Sequence, residues 1–346
     1  MMPKKCRICL SVFKNTVAYL VFILILVTMG CKKNVSKVDN TEEIKIEEKQ
    51  KETMNKVAVL EYEIASELGE GAFWNYKTQE FYWIDIEGKK FHIYNPKTKT
   101  NKSYTMPSRI GTVVPYTNKE AVVALQNGVY KINLETEKLT LLSDVESEIK
   151  DNRFNDGKCD PLGNLWVGSM HLNQKQYAAN LYKISETGET QKMLDSVTIS
   201  NGIVWTSDTK TMYYIDTPTS KIKAYDFDNK TGEISNERVV VKVSDTLGYP
   251  DGMTIDENDM LWVGMWNGNA VIQFNPKTGE LVSKIEVPAH NVSSCAFGGE
   301  NLDELYITTA RVDMSEEELK EKPLSGSIFK VKPGVKGVEN TFFGKQ

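Results

Sequence analysis

The chain is poor in the residues that most often build metal clusters and disulfide frameworks. Its 346 residues include three histidines, His92, His171 and His290, and no two of them have the spacing of paired metal ligands. Five cysteines are present, two of them within the first ten residues. Zinc sites usually take histidine or cysteine ligands, and small secreted domains stapled by disulfides are dense in cysteine. The sequence therefore excludes a disulfide framework and disfavours a zinc cluster.

Two common catalytic signatures are also missing. The chain has no Gly-x-Ser-x-Gly elbow and no Gly-x-Gly-x-x-Gly following a strand, which argues against a serine hydrolase and a dinucleotide-binding enzyme. With 42 Lys and Arg against 47 Asp and Glu the chain is acidic, so no nucleic-acid partner is expected. Cys159 and Cys295 lie in apolar surroundings and are predicted to be buried free thiols.

Residues 1–31 have the pattern of a lipoprotein signal peptide that ends at a lipidated Cys31. Four basic residues precede an almost wholly apolar run over 17–27, and Cys31 follows in the order VTMGC. This order is typical of secretory signals, and a cysteine at the cleavage point resembles the bacterial lipoprotein signal. A plain N-terminal membrane anchor is the alternative. Both interpretations predict a chain that is tethered to a membrane in the cell envelope of a bacterium. If the chain is a lipoprotein, its globular body faces the periplasm or the cell surface.

Residues 32–56 form a charged linker in this interpretation, and 57–346 form the globular body. The linker has no aromatic residue and no glycine, so it can bury too little surface to fold alone.

The body repeats itself about every 40–50 residues. A turn followed by a short apolar strand recurs six times, at KTQEFYWID (77–85), NKEAVVALQ (118–126), PLGNLWVGS (161–169), DTKTMYYID (208–216), ENDMLWVGM (257–265) and LDELYITTA (302–310). Six copies of several short strands predict an all-β fold, a six-bladed β-propeller. A β-sandwich would not repeat at this period, and a two-domain α/β protein would need helical patterns between the strands. Residues 57–65 are predicted to add the outer strand that closes the ring, and 315–322 to form a surface helix.

Polar residues begin most of the repeats. Glu70, Asn155, Asn201 and Asp251 occupy this position, and a glycine follows within two residues. Read alone, Asp251 and its glycine in YPDGMTI predict a hairpin turn. Glutamate is a poor turn residue, however, and it fills the same position in another copy. These residues are therefore predicted to begin innermost strands and to converge on the channel axis at one mouth, with the glycines allowing close strand approach.

Such a ring of side chains offers oxygen atoms to a cation. Carboxylate and amide oxygens suit Ca²⁺, Mg²⁺ or Mn²⁺, and three or four protein ligands would leave a position open for water or substrate. The alternative is a wet channel rim that binds nothing.

Five motifs, in order, resemble the gluconolactonase, senescence marker protein and luciferin-regenerating enzyme family. They are LGEGAFW (68–74), RFNDGKCDPLGNLWVGSM (153–170), SNGIVW (200–205), YPDGMTID (249–256) and SSCAFGG (293–299). The resemblance implies a six-bladed propeller with a central metal site and a metal-dependent hydrolase that opens a lactone, gluconolactonase-like, to the hydroxy acid.

The resemblance also implies roles for particular residues. Glu70, Asn201 and Asp251 would be metal ligands, Asp251 would also be the general base, and Arg153 and Asn155 would touch the substrate. One divalent cation is expected, calcium first, with magnesium, manganese or zinc as alternatives, and the expected partner is a small-molecule lactone, with no protein partner indicated.

One departure concerns the sugar preference. An acid that some family members carry shortly after GSM is absent, since this chain reads HLNQKQ (171–176), and the sequence does not decide whether His171 or Asn173 contacts substrate. Two other functions stay open at this point. One is a non-catalytic, metal-stabilised propeller that binds a sugar or a protein at the cell envelope, and the other is a condensation of the strictosidine-synthase kind on the same fold.

Overall fold

The computed structural model describes residues 55–345. The predicted signal peptide, the lipidation of Cys31 and nearly all of the predicted linker lie outside the described residues. Within the described part, no helix is both long enough and apolar enough to span a membrane. The first strand begins at Asn55, two residues before the boundary taken from the sequence.

Nearly all regular structure in this range is β-strand. The first two strands are β1 (Asn55–Val57) and β2 (Val59–Tyr62). Next come β3 (Gly69–Asn75), β4 (Glu80–Asp85), β5 (Lys90–Asn95), β6 (Thr100–Thr105), β7 (Ile110–Thr117), β8 (Glu120–Leu125), β9 (Gly128–Asn133) and β10 (Leu139–Ser143). They are followed by β11 (Asn152–Cys159), β12 (Leu165–His171), β13 (Ala179–Ile184), β14 (Thr190–Val197), β15 (Ser200–Trp205), β16 (Thr211–Asp216), β17 (Lys221–Asp228) and β18 (Glu233–Lys242). The last strands are β19 (Tyr249–Ile255), β20 (Leu261–Trp266), β21 (Ala270–Phe274), β22 (Leu281–Glu286), β23 (Asn291–Gly298), β24 (Glu304–Ala310) and β25 (Ile328–Val331).

One short helix, α1 (Glu316–Glu321), and 3₁₀ turns at Thr217–Thr219 and Asp245–Leu247 complete the regular structure of the described residues. The predicted surface helix is confirmed. Ser315 begins it with a reciprocal capping box, in which its side chain accepts a hydrogen bond from the Glu318 N–H and the Glu318 carboxylate accepts one from the Ser315 N–H.

The strands form six separate sheets, and the predicted six-bladed propeller is confirmed. Blades 1 to 4 each hold four consecutive strands, from β3 to β18. Blade 6 consists of β23 to β25 and is completed on its outer edge by β2, so the predicted ring closure is also confirmed. Blade 5 holds β19 to β22, and β1 lies parallel to β22 on its edge, a fifth strand that the repeat did not predict.

A buried aspartate in the turn before the strand explains why two of the repeats share the motif Leu-Trp-Val-Gly. Asp160 and Asp256, both fully buried, each accept a hydrogen bond of 2.8 Å from an indole N–H, that of Trp166 and that of Trp262. The other carboxylate oxygen of each aspartate accepts backbone N–H groups of the turn that leads into the strand. A short Asp-headed turn is thereby tied to the tryptophan that fills the space between blades.

The last residues of the chain cross the lower mouth of the channel, where the innermost strands end. Phe342 packs on Phe73, at the end of β3, with ring centroids 5.9 Å apart. The N–H groups of Phe343 and Gly344 donate to the carbonyls of Pro115 and Gly163, beside the ends of β7 and β11. The tail therefore joins blades 1, 2 and 3 at this mouth. Cys159 and Cys295 are buried and unbonded to each other, as predicted.

Candidate active site

The upper mouth of the channel, where the innermost strands begin, is built on β-bulges. All six innermost strands lose register with their neighbour close to their start, at 70–73, 110–112, 154–157, 201–203, 250–253 and 292–294. A bulge turns a side chain away from the regular alternation of a strand and is frequent beside functional sites. Glu70, Asn201 and Asp251 each stand at one of these bulges.

The glycines that follow these polar residues are explained by close packing between blades. A Cβ atom on Gly252 would lie 2.6 Å from Cβ of Ser294 in the next blade, and one on Gly202 would lie 2.8 Å from the carbonyl oxygen of Asp251. The hairpin-turn interpretation of Asp251 is wrong, because YPDGMTI is β19 itself, an innermost strand. The prediction of close strand approach is confirmed.

Two aspartates hold the chain just before the site residues. The Asp85 carboxylate accepts from the N–H groups of Glu67 and Leu68, both at 3.0 Å, and thereby fixes the segment that leads into Glu70. Asp216 does the same for the segment that leads into Asn201, accepting from the Ile199 N–H at 2.9 Å. Both aspartates end the related repeats YWID and YYID, and this shared position is the sequence signal that marks them.

A one-directional chain of hydrogen bonds joins three blades across the site. Arg153 Nη1 donates to Asn155 Oδ1 at 2.6 Å, and Asn155 Nδ2 donates to Asn201 Oδ1 at 2.8 Å. Asn201 Nδ2 then donates to Thr217 Oγ1 at 2.7 Å, and Thr217 Oγ1 donates to the carbonyl of Pro250 at 2.8 Å. Each donor direction fixes the next one, so the Asn201 amide oxygen is turned away from Thr217 and toward Asn155. No sequence motif pointed to Thr217.

Glu70 and Asp251 form a buried pair of carboxyl groups. They are 6% and 5% exposed and lie close enough for the charge of Glu70 to raise the pKa of Asp251. Burial raises the pKa of both groups, and their mutual repulsion raises the pKa of Asp251 further. The Asp251 Oδ1 atom is buried without a hydrogen-bond partner. Such an atom costs free energy unless a cation or a proton satisfies it.

These residues fit a divalent cation. Two carboxylates and the amide oxygen of Asn201 are the hard oxygen donors that calcium, magnesium and manganese prefer. Within residues 55–345 no three His, Cys, Asp or Glu side chains form a metal-binding group. At this site two of the donors are acids and the third is an amide. The oxygens are those of Glu70, Asn201 and Asp251, the three ligands that the family resemblance implied.

The two residues expected to touch substrate lie beside this pair. Arg153 is buried, and its guanidinium lowers the pKa of both Glu70 and Asp251 by its positive charge, although burial outweighs that effect. Both N–H groups of the Asn155 amide are used, one on Asn201 Oδ1 and one on the Ser200 carbonyl at 2.7 Å. In this arrangement Asn155 orients Asn201, and its contact with substrate stays a prediction.

A second ionisable pair lies next to the site and was not singled out from the sequence. Asp156 follows Asn155, and burial raises the pKa of its carboxyl group. Burial lowers the pKa of Lys158, whose ammonium donates to the Met253 carbonyl at 2.9 Å. The negative charge of Asp156 also raises the pKa of Glu70. The pair therefore adds one negative and one positive group to the electrostatic surroundings of the three oxygen donors.

A cavity of about 870 Å³ opens above the site. Glu70, Arg153, Asn155, Asn201 and Asp251 all line it, so the structure brings the five predicted site residues together. On its rim Arg109 Nε donates to both carboxylate oxygens of Glu87, at 2.8 and 2.9 Å.

The loop without the expected acid also reaches this cavity. Asn173 is among the lining residues, whereas His171 is not and instead accepts a hydrogen bond from the Asn173 N–H at 3.0 Å. Of these two residues, the structure therefore places Asn173 at the position from which a substrate could be contacted.

The fold agrees with what the comparisons with known families show. The sequence profile described as "SMP-30/Gluconolactonase/LRE-like region" matches residues 68–311, more than half of the chain. The chain belongs to this family. The SMP-30/gluconolactonase/LRE-like match contains all five residues named above and ends one residue beyond β24.

Named relatives cover nearly the whole propeller. The chain is 39% identical over 272 residues to "Putative sugar lactone lactonase YvrE" of Bacillus subtilis (strain 168), a match that spans 79% of this chain and 93% of that protein. It is 36% identical over 282 residues to regucalcin of Xenopus laevis, spanning 80% and 94%. The crystal structure of a calcium-binding protein, regucalcin, from Agrobacterium tumefaciens matches with a TM-score of 0.81 at 24% identity and covers 84% of this chain and 98% of its own, which supports the fold.

Proposed function

We propose that this chain is a divalent-metal-dependent lactonase that opens a sugar lactone to the hydroxy acid. Family membership and the relative named as a sugar lactone lactonase support lactonase-like activity. The observation that carries the metal dependence is the buried Asp251 Oδ1 atom without a partner, beside a second carboxylate and an oriented amide oxygen. We propose calcium as the cation, with magnesium, manganese and zinc as alternatives.

Glu70, Asn201 and Asp251 would hold the cation. When bound, it would polarise the lactone carbonyl and lower the pKa of the attacking water. Asp251 accepts the proton of that water as general base and returns it to the ring oxygen that leaves. Water adds to the carbonyl carbon, the ring carbon–oxygen bond breaks, and the product is the hydroxy acid. Arg153 balances part of the negative charge that develops on the carbonyl oxygen.

The test starts from protein stripped of metal. Sugar and aliphatic lactones are offered with Ca²⁺, Mg²⁺, Mn²⁺ or Zn²⁺, and hydrolysis is followed by the release of acid. We expect activity only with a cation present. Asp251→Asn should lower kcat by about 100-fold or more while a cation still binds. Glu70→Gln should weaken cation binding first, measured by calorimetric titration.

Two outcomes would contradict this proposal. Turnover like that of the unaltered protein in Asp251→Asn would remove the general-base role. Binding of a cation with no hydrolysis of any lactone would favour the non-catalytic propeller, which displays a metal-stabilised site to a sugar or a protein.

The location is a second proposal, and it rests on the N-terminal sequence alone. We propose that the enzyme is held in the cell envelope by a lipid on Cys31. Labelling with a radioactive fatty acid should mark the expressed full chain and should fail in Cys31→Ser. Equal labelling of both would contradict the lipid site.

A further inference from the structure

An aromatic pair lines the outer part of the cavity, and the opening of a lactone ring does not use it. Tyr249 and Trp266 both line the cavity and are paired directly across β19 and β20. Side chains paired in this way stand on the same face of a sheet, with Cβ atoms about 4.5–5.5 Å apart. Tyr249 is 47% exposed, which leaves much of its ring open to a ligand.

The backbone that carries both rings is fixed. Gly248 has a left-handed φ of 92°, and a Cβ atom there would lie 2.8 Å from the nitrogen of Gly268 in the turn after Trp266. In that turn the Asn267 N–H donates to Asn291 Oδ1 at 3.3 Å, and the Gly268 N–H donates to the Met265 carbonyl at 3.0 Å. These contacts restrain the backbone on both sides of the pair, which lowers the conformational cost of ordering the two rings against a ligand.

The aromatic pair lies close to the proposed reaction centre at Asp251, nearer the start of strand β19. Tyr249 precedes Asp251 by two residues on the same strand, roughly 6–7 Å along it. The cavity of about 870 Å³ falls in the range of pockets that hold drug-sized ligands, so one six-membered lactone leaves room. Asn267, Asp313 and Glu318 line the same cavity and can accept hydrogen bonds from hydroxyl groups.

We propose that Tyr249 and Trp266 form a subsite for a second sugar ring, so that the preferred substrate is the lactone of a disaccharide. The inference rests on the proposed lactonase function of this cavity. A sugar ring offers a face of C–H groups to an aromatic ring and hydroxyl groups around its edge. This combination matches an aromatic pair bordered by the carboxylate and amide oxygens of Asn267, Asp313 and Glu318. A lactone that carried a purely aromatic or alkyl substituent would offer those oxygens no hydrogen-bond donor.

The first experiment compares cellobiono-δ-lactone with glucono-δ-lactone. The unaltered enzyme should have the higher kcat/KM on the disaccharide lactone. In Tyr249→Ala the ratio of the two kcat/KM values should fall about tenfold, because the stacking contact is lost. Tyr249→Phe keeps the ring and should keep the ratio. Tyr177→Ala is the matched control, since Tyr177 is 68% exposed and does not line the cavity, and it should change neither value.

A binding measurement separates this inference from the proposed reaction. Calorimetric titration with the open-chain acids cellobionate and gluconate needs no turnover, and cellobionate should bind more tightly, with the preference lost in Tyr249→Ala. If that preference is found but neither lactone is hydrolysed, the sugar subsite stands and the lactonase proposal fails. Equal affinity for the two acids, or a preference unchanged in Tyr249→Ala, would overturn the subsite.

Discussion

Thr217 is the residue on which two predicted ligands depend at once. Its hydroxyl accepts from Asn201 Nδ2 and donates to the carbonyl of Pro250, the residue before Asp251. Groups that orient metal ligands typically contribute 10–100-fold to metal affinity. Thr217→Val keeps the shape and removes both hydrogen bonds. We expect it to weaken cation binding about tenfold in calorimetric titration.

Thr217→Ser is the matched control, because it keeps the hydroxyl and should keep the affinity. Circular dichroism checks that both variants are folded. If Thr217→Val binds the cation as tightly as the unaltered protein, the orienting role is wrong.

The buried carboxyl pair predicts how stability depends on pH. The pKa values of Glu70 and Asp251 are raised in the folded, metal-free protein, so the folded state holds protons more tightly than the unfolded chain. Stability gained from these groups is present at low pH and is lost as pH rises toward the folded pKa values. Metal-free protein should therefore show a Tm that falls between about pH 5 and about pH 8.

A bound cation should remove this slope, because it keeps both groups ionised and stabilises the folded state by mass action. Asp251→Asn, which deletes one of the two groups, should show a smaller fall in metal-free buffer. A metal-free Tm that stays constant over this range would contradict the coupling of the pair.

At the scale of the strand, the bulge is the unit that places a site residue. Gly252 occupies the bulge after Asp251, and its absent side chain leaves room for the next blade. Gly252→Ala should lower the free energy of unfolding by about 1–3 kcal/mol in urea, because its Cβ would meet the side chain of Ser294 and the carbonyl of Ser293. Adding Ser294→Gly removes the first contact and should restore part of the loss. No loss in Gly252→Ala would show that the blades separate easily.

The sequence predicted the place of these residues but not their geometry. Glu70, Asn201 and Asp251 occupy one position of a repeat, so a shared innermost strand could be inferred from spacing alone. The bulges depend on how a neighbouring blade packs, which a single strand does not encode. Thr217 belongs to no repeated motif, since the related YWID copy is followed by Ile86, so no pattern could reveal it.

At the scale of the whole molecule, the ring is closed by strands from both ends of the described range 55–345. The closure by β2 could be predicted from the sequence, because residues 57–65 alternate like a strand and the last repeat lacks an outer strand. The parallel strand β1 could not be predicted, because it is three residues long and borders a charged segment. The C-terminal tail carries two adjacent phenylalanines outside the repeat, and only the packed structure shows what they cover.

These phenylalanines should contribute to the folding stability of the propeller and not to cation binding or catalysis. Phe343 is fully buried, packs edge-on against Tyr116 with ring centroids 5.5 Å apart, and lies at the mouth opposite the site. Phe343→Ala should lower the free energy of unfolding by about 3–5 kcal/mol, the usual cost of deleting a buried phenylalanine ring. Lys345→Ala, two residues away and exposed, should have little effect. Because Phe343 lies remote from Asp251, the folded variant should keep its cation affinity at low temperature. A Phe343→Ala protein of unchanged stability would mean that the tail only rests on the lower mouth and does not join the blades.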